Sequence, residues 1–269
     1  MHNHSLHDRK PPSAQGANAL PAICRDYPME LKIGNVTLAV VNRHNELFPY
    51  LLRCKNAVVL HIDAHPDFID SAPVYKPEEQ SMADYVDSLS IVQFICASAH
   101  RGAVCVFYHI DPREPGKHWA VGSLNSGKIV YPLSTYEADA FDGVRRCYFN
   151  QHQRRRNLSM DQILTELQGY TGHLILDTEV DAFYEHTDYI LRFNRPLPVD
   201  RAAAVEALRS SIEERKRYFE SQILRAPKPD LITLVRAQEV SEELFLPRSL
   251  ADELQEWCIV KFSERYGDS

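Results

Sequence analysis

His61-Ile62-Asp63-Ala64-His65-Pro66-Asp67 places four metal-capable side chains within seven residues, directly behind the apolar run Val58-Val59-Leu60. Val58, Val59, Leu60 and Ile62 read as a buried parallel strand, and open α/β sheets put their chemistry just past the C-terminal ends of such strands. Asp63, His65 and Asp67 recur at a spacing of two, so in extended backbone all three point to one side. Two carboxylates and an imidazole form a mixed O/N donor set that suits Mn²⁺, Fe²⁺, Co²⁺ or Zn²⁺ better than Ca²⁺. A capping Asp at a solvated strand end accounts for one of these carboxylates and not for the triplet. His61 shares the face of Asp63 but sits deeper along the strand, where support of the ligands or core packing is expected rather than ligation.

The design recurs downstream. His173-Leu174-Ile175-Leu176-Asp177-Thr178-Glu179-Val180-Asp181 is again an apolar strand that runs straight into carboxylates at spacing two. Three like charges on one side of a strand end repel one another and need a cation, hydrogen bonds or a proton. Upstream, Leu31 to Val41 reads as a strand pair, or a strand with a turn at Gly34-Asn35, and a short helix beginning at His44 puts that imidazole just beyond a strand too.

The remaining chain supplies the scaffold. Met82 to Ala99 has helical spacing, as one crossover helix or a pair, and Val104 to Phe107 is a strand that leads into His109 and the turn Asp111-Pro112. Residues 113 to 150 read as short strands between glycines, a candidate lid or specificity insertion, and QHQRRR at 151 to 156 reads as a solvated loop face. Ser159 caps a helix, Asp200 to about Gln222 is a long amphipathic helix, Leu231 to Val235 is a further strand followed by Glu239, Glu242 and Glu243, and Ser249 to Tyr266 is a closing helix. Residues 1 to 28 read as a flexible tail, leaving 29 to 269 as a single domain.

Alternating strands and helices imply an α/β fold with a mostly parallel sheet and right-handed crossovers, so that the strand C-termini share one edge. His44 and the two acidic triplets converge there, with enough O/N ligands for two divalent ions that share carboxylates. Two ions about 3.5 Å apart lower the pKa of a shared water and supply hydroxide near neutral pH, which makes hydrolysis the expected reaction. The formal net charge of −7 argues against general nucleic-acid or anionic-membrane binding and accords with a cationic substrate. No apolar run approaches the ~18 to 20 residues of a membrane span, and no signal-peptide core opens the chain, so a cytoplasmic location is expected. Six scattered cysteines without a CxxC pair are expected to be buried thiols.

These motifs resemble the arginase, agmatinase and histone-deacetylase superfamily, whose ureohydrolase branch carries Asp-Ala-His-x-Asp, an upstream ligand His and a later acidic strand end. Asp63-Ala64-His65-Pro66-Asp67 matches the first motif in full. The stretch from about 30 to 269 is also similar to a family with an arginase-like core, through His44-Asn45-Glu46, the His61 to Asp67 run, Asp177 to Phe183, and Pro229-Asp230-Leu231-Ile232-Thr233. The resemblance implies a three-layer α/β/α, arginase/deacetylase-like fold holding two Mn²⁺ ions. Asp63 would bridge them, His65 would bind one ion and Asp67 the other, and His44 would be the upstream ligand. Glu179 would take a second bridging role beside Asp181, with Asp177 either behind the ligands or among them.

Some members of that family are similar to peptide arginases, which convert arginine residues of a ribosomally made precursor peptide to ornithine plus urea. The same activity is therefore expected here, with an arginine-containing precursor peptide as partner. Glu239, with Glu242 nearby, is the candidate carboxylate for the guanidinium, a planar cation that asks for a bidentate partner. His109 and His186 are the candidates for proton transfer. Free arginases carry a glycine-rich segment before the first ligand His and a further His soon after the Asp-Ala-His-x-Asp motif. Here Asn42-Arg43 precede His44, and no His occurs between His65 and His100, which favours a non-standard substrate. The alternatives are another metal amidohydrolase, agmatinase-like or a deacetylase, and a binding protein with a degenerate site. Self-association as a homo-oligomer is left open.

Overall fold

Five adjacent parallel strands whose side chains alternate between two buried faces decide where the chemistry of this protein is placed. The computed structural model describes residues 28–150, 155–196, 198, 200–236 and 247–267. Its strands are β1 (Met29–Ile33), β2 (Val36–Val41), β3 (Ala57–Ile62), β4 (Ser71–Pro73), β5 (Val104–Ile110), β6 (His118–Val121), β7 (Ser123–Asn125), β8 (Lys128–Tyr131), β9 (Thr135–Asp139), β10 (Arg145–Phe149), β11 (Arg156–Leu158), β12 (Leu174–Glu179) and β13 (Leu231–Val235). The helices are α1 (Phe48–Leu51), α2 (Met82–Ser88), α3 (Phe94–His100), α4 (Met160–Leu167), α5 (His186–Phe193), α6 (Arg201–Gln222) and α7 (Arg248–Tyr266). The main sheet runs β1-β2-β13-β12-β3-β5-β6-β11. Its centre, β2 to β5 in that order, is parallel. β1 on one side and β6 with β11 on the other close it as antiparallel edges.

Apolar alternation puts a helical layer on each face, as expected for an α/β sheet buried on both sides. Val58, Leu60, Ile62, Leu176, Ile232 and Leu234 face one core with Ile163 of α4, Phe219 of α6 and Leu254 of α7. Val59, Phe107, Ile175 and Val235 face the other, with Phe48 of α1 and Phe94 and Ile95 of α3. Each such fully buried side chain contributes about 1.5–3 kcal/mol of transfer free energy. The β1–β2 turn needs a glycine: Gly34 has φ +58°, and a Cβ there would stand 2.8 Å from the carbonyl oxygen of Gly267.

Register then aligns polar residues across the second face. His109 of β5 pairs with His61 of β3, His61 with Asp177 of β12, and Asp177 with Thr233 of β13. One row of hydrogen-bonding side chains thus crosses four strands near their C-terminal ends, among otherwise apolar neighbours.

Several local expectations are refined. The strand pair around Gly34 is present, and His44–Leu47 forms a 3-10 turn that continues into α1. The segment from Met82 to Ala99 is two helices, because Leu89 takes extended backbone and ends α2. Ser159 caps α4 in a full capping box with Gln162. His109 lies inside β5 rather than beyond it. Residues 113 to 150 supply the edge strand β6, the β7–β8 hairpin, and β9 and β10, which join β4 in a second sheet. Five of the cysteines are described, and all five are buried and free. The expected flexible tail, except Pro28, and residues 151–154 of the basic hexapeptide lie outside the described residues. Among the described residues no helix is long and apolar enough to cross a membrane.

Candidate metal centre

The centre is assembled from three chain segments that the parallel sheet brings to one edge. The turn after β2 supplies His44, the turn after β3 supplies Asp63, His65 and Asp67, and β12 with the 3-10 turn Val180–Phe183 supplies Glu179 and Asp181. Strict alternation does not carry the triplet beyond β3. Asp63 accepts a hydrogen bond from the backbone N–H of His65 at 2.6 Å, and Asp67 takes a left-handed φ of +37°. A tight turn, not an extended strand, therefore turns Asp67 back towards His44.

Two groups of potential ligand atoms result, in each of which the atoms lie within 4.8 Å of one another. His44, Asp63, Asp67 and Glu179 make the first, and Asp63, His65 and Asp181 the second. Asp63 is the residue common to both. Glu179 joins the first group, so the sharing in this structure rests on Asp63. His44 Nδ1 stands 2.7 Å from Asp67 Oδ2 and 3.2 Å from Glu179 Oε2, and His65 Nδ1 stands 3.1 Å from Asp181 Oδ2. Phe94 stacks on the His44 ring at 4.9 Å between centroids.

A third group, His44 with His61 and Asp177, meets the same distance limit but is differently used. Asp177 Oδ2 is 2.7 Å from His61 Nδ1, and its Oδ1 accepts from the Thr233 hydroxyl at 2.5 Å. Both carboxylate oxygens are thereby engaged, one with His61 and one with Thr233. His61 in turn brings Nε2 to 3.1 Å from Asp63 Oδ2.

Hydrogen bonding leaves the cluster incompletely satisfied. Among the described residues, His44 Nε2, His61 Nε2, Asp63 Oδ2, Asp67 Oδ2 and Asp181 Oδ1 are buried without a hydrogen-bond partner. Buried polar atoms are rarely left so, since each costs about 1–3 kcal/mol. Close approach without donor alignment is what groups show when their lone pairs converge on a common point. The donor chemistry and the orphaned atoms thus fit divalent cations, and these groups could hold metal ions.

Electrostatics agree. Burial and the neighbouring Asp181 and Asp63 carboxylates push Glu179 well above the usual carboxylate range. Asp181 is pushed up to about 7 by burial and by Asp63, against the opposing pull of His65. Burial acts to raise Asp63 as well, but the His61 imidazole, with Nε2 3.1 Å from Asp63 Oδ2, overrides it and holds Asp63 well below that range. His65 is raised to about 11 by Asp181 and Glu185. A crowd of buried carboxylates that protons and imidazolium ions hold together is one that a metal ion can take over.

A cavity of about 440 Å³ opens over this floor. Pro66, Phe68, Ile69, Ile91 and Val92 form its apolar walls, while Asn42 and Arg43 are its polar residues outside the ligand groups. Among the described residues none from 113 to 150 lines it, so those residues are not the wall of this cavity. His109 does not line it either. Its Nε2 is 3.1 Å from the carbonyl oxygen of His65 and its ring stacks on Trp119, and burial with the nearby charge of His61 lowers it to about 3. The structure thus sets this candidate for proton transfer beneath the turn from Asp63 to Asp67, outside the cavity lining. The side chain of His186 and all of Glu239 and Glu242 lie outside the described residues.

Two charged neighbours of the cluster carry no signal in the sequence. Glu185 contacts His65, and Arg113 bonds to Glu185 at 2.6 Å. No local pattern marks either; only the 72-residue separation closed by the fold brings them together. In comparison with known proteins, no family model matches the chain, and no curated protein matches it.

Proposed function

We propose that this chain is a dinuclear metal hydrolase that cleaves guanidinium C–N bonds, acting as a peptide arginase on an arginine-containing precursor peptide within an arginase/deacetylase-like fold. The observation that carries the proposal is the pair of ligand groups sharing Asp63 at the floor of an apolar-walled cavity. His44, Asp63, Asp67 and Glu179 would hold one ion, and Asp63, His65 and Asp181 the other. Mn²⁺ is the proposed metal, and Fe²⁺, Co²⁺ and Zn²⁺ suit the same donors. Such a pair, when bound, supplies a water of lowered pKa and Lewis acidity toward the carbon under attack.

The chain's own residues account for binding. An acidic floor attracts a guanidinium, and Phe68, Ile69, Ile91 and Val92 suit the aliphatic stem of an arginine side chain. Glu239, four residues beyond the cavity-lining Val235, is the proposed bidentate partner of the guanidinium, with Glu242 near it. Among the described residues outside the ligand groups, Asn42 and Arg43 are the polar lining available to grip both ends of a free α-amino acid, which supports arginine within a peptide. In the reaction the bond between the guanidinium carbon and the side-chain nitrogen breaks and water adds to the carbon. Urea leaves, and the ornithine amine takes up the proton.

Incubation of the Mn²⁺-loaded protein with arginine-containing peptides, read by peptide mass and free urea, tests this. The expected result is the arginine-to-ornithine mass decrease with equimolar urea, abolished by Asp63→Ala and by His65→Ala. Metal-loaded protein that leaves every such peptide unchanged in mass overturns the arginase assignment.

A further inference from the structure

His65 is the least enclosed of the candidate ligands, its side chain 40% exposed where that of Asp63 is fully buried. Something other than burial must fix its ring. On the side away from the ligand group, His65 Nε2 lies 3.4 Å from Glu185 Oε1. Glu185 is itself buried, and its second oxygen, Oε2, accepts from Arg113 Nη1 at 2.6 Å. Arg113 is gripped by Asp111, which accepts from its Nε and Nη2, each at 3.0 Å, and Arg113 Nη2 also donates to the carbonyl oxygen of Ala64 inside the ligand turn. The backbone secures the far end of the chain of contacts. Glu185 is the N-cap of α5 in a capping box with Asp188, and Asp188 pairs with Arg215 at 2.6 Å.

A neutral imidazole carries one N–H, and whichever nitrogen holds it cannot donate a lone pair to a metal. A carboxylate opposite Nε2 keeps the proton there and leaves Nδ1, which faces Asp63 and Asp181, as the donor atom. We propose that Glu185, held in place by Arg113, is the positioning residue that sets the tautomer and ring orientation of His65 for the ion at Asp63, His65 and Asp181. The inference rests on the dinuclear reading of the site and adds to it a carboxylate–histidine–metal arrangement of the kind that tunes metal affinity. The same carboxylate starts α5, so the ligand turn and that helix are tied through one side chain.

The test compares the full chain with its Glu185→Gln and Glu185→Asp variants. Aspartate keeps both the N-cap and a negative charge beside Arg113 but withdraws the carboxylate from His65, while glutamine keeps the reach and removes the charge. Zn²⁺ is titrated into each protein against a competing chelator, and the tautomer of His65 is read by long-range proton–nitrogen NMR. The expected result is two ions in the unaltered protein with His65 protonated at Nε2. Both variants retain one ion at its original affinity and bind the other, the one assigned to His65, about 10- to 100-fold more weakly, and the aspartate variant loses the fixed tautomer. Two ions in the unaltered protein, with variants that match it in both affinities and tautomer, overturn the role of Glu185 alone. An unaltered protein that binds fewer than two ions removes the dinuclear reading and this inference together.

Discussion

Asp177 Oδ2 lies 2.7 Å from His61 Nδ1, although the two residues are 116 positions apart in sequence. With Thr233 on its other oxygen, Asp177 is committed to holding His61 under Asp63. Removing the carboxylate leaves a buried imidazole facing its lost counter-charge, and breaking one partner of such a pair costs about 3–5 kcal/mol. Asp177→Ala is therefore expected to lower the chemical-denaturation midpoint strongly while the surviving folded protein still binds two ions. A loss of one ion without loss of stability would make Asp177 a ligand instead.

The sharing of Asp63 separates it from the residues on either side. Asp63→Asn is expected to abolish binding of both ions, whereas Asp67→Asn and Asp181→Asn each remove one and leave the other. Elemental analysis of metal content after dialysis reads the outcome. Equal losses in all three variants would contradict two groups joined at Asp63.

Protonation sets the pH dependence of metal binding. Asp181 titrates at about 7 and His65 at about 11, so below pH 7 the ion at these residues must displace a proton from each. Its affinity is expected to rise about 100-fold per pH unit below 7 and about 10-fold per unit above it. Calorimetry in buffers of different ionisation enthalpy counts the protons released. For the metal-free protein the sign follows from the raised carboxyl: folded Asp181 holds a proton between its ordinary 3.8 and about 7, where the unfolded chain has lost it. Its contribution to stability therefore declines as pH rises through that window. Metal-free protein should lose more of its thermal stability over this range than the Asp181→Asn variant does, and an equal or smaller loss would be the contrary outcome.

Phe94 links packing to the site. It is fully buried and lies flat on the His44 ring, 7° from parallel. Phe94→Ala is expected to cost about 3–5 kcal/mol by cavity formation and to weaken the ion at His44 more than the ion at His65. Two-site metal titration alongside urea denaturation checks both effects, and equal weakening of the two ions would disconnect the stack from His44.

What the sequence could tell depended on whether a feature was local. Val58 to Ile62 and Leu174 to Leu176 announced central strands because an apolar run ending in carboxylates has few other uses, and Ser159 with Gln162 carried its helix start in four residues. The row from His109 to Thr233 was not legible, since register between strands is set by packing across the whole sheet. The role of Asp177 hung on Thr233, a residue with no distinguishing context of its own. His109 reads as a residue beyond a strand end because the apolar run stops at Phe107, but the strand continues through it and sets the ring against the His65 carbonyl. Glu185 and Arg113 each sit in unremarkable polar sequence, and the short strands between 113 and 150 lacked the sustained alternation that marks longer ones.

The central claim is a pair of metal ions joined by Asp63, and anomalous diffraction from crystals grown with Mn²⁺ tests it most directly. Two anomalous peaks are predicted, one among His44, Asp67 and Glu179 and one between His65 and Asp181, with the Asp63 carboxylate touching both. A single peak, a peak at His61 and Asp177, or no peak at full metal loading would contradict it.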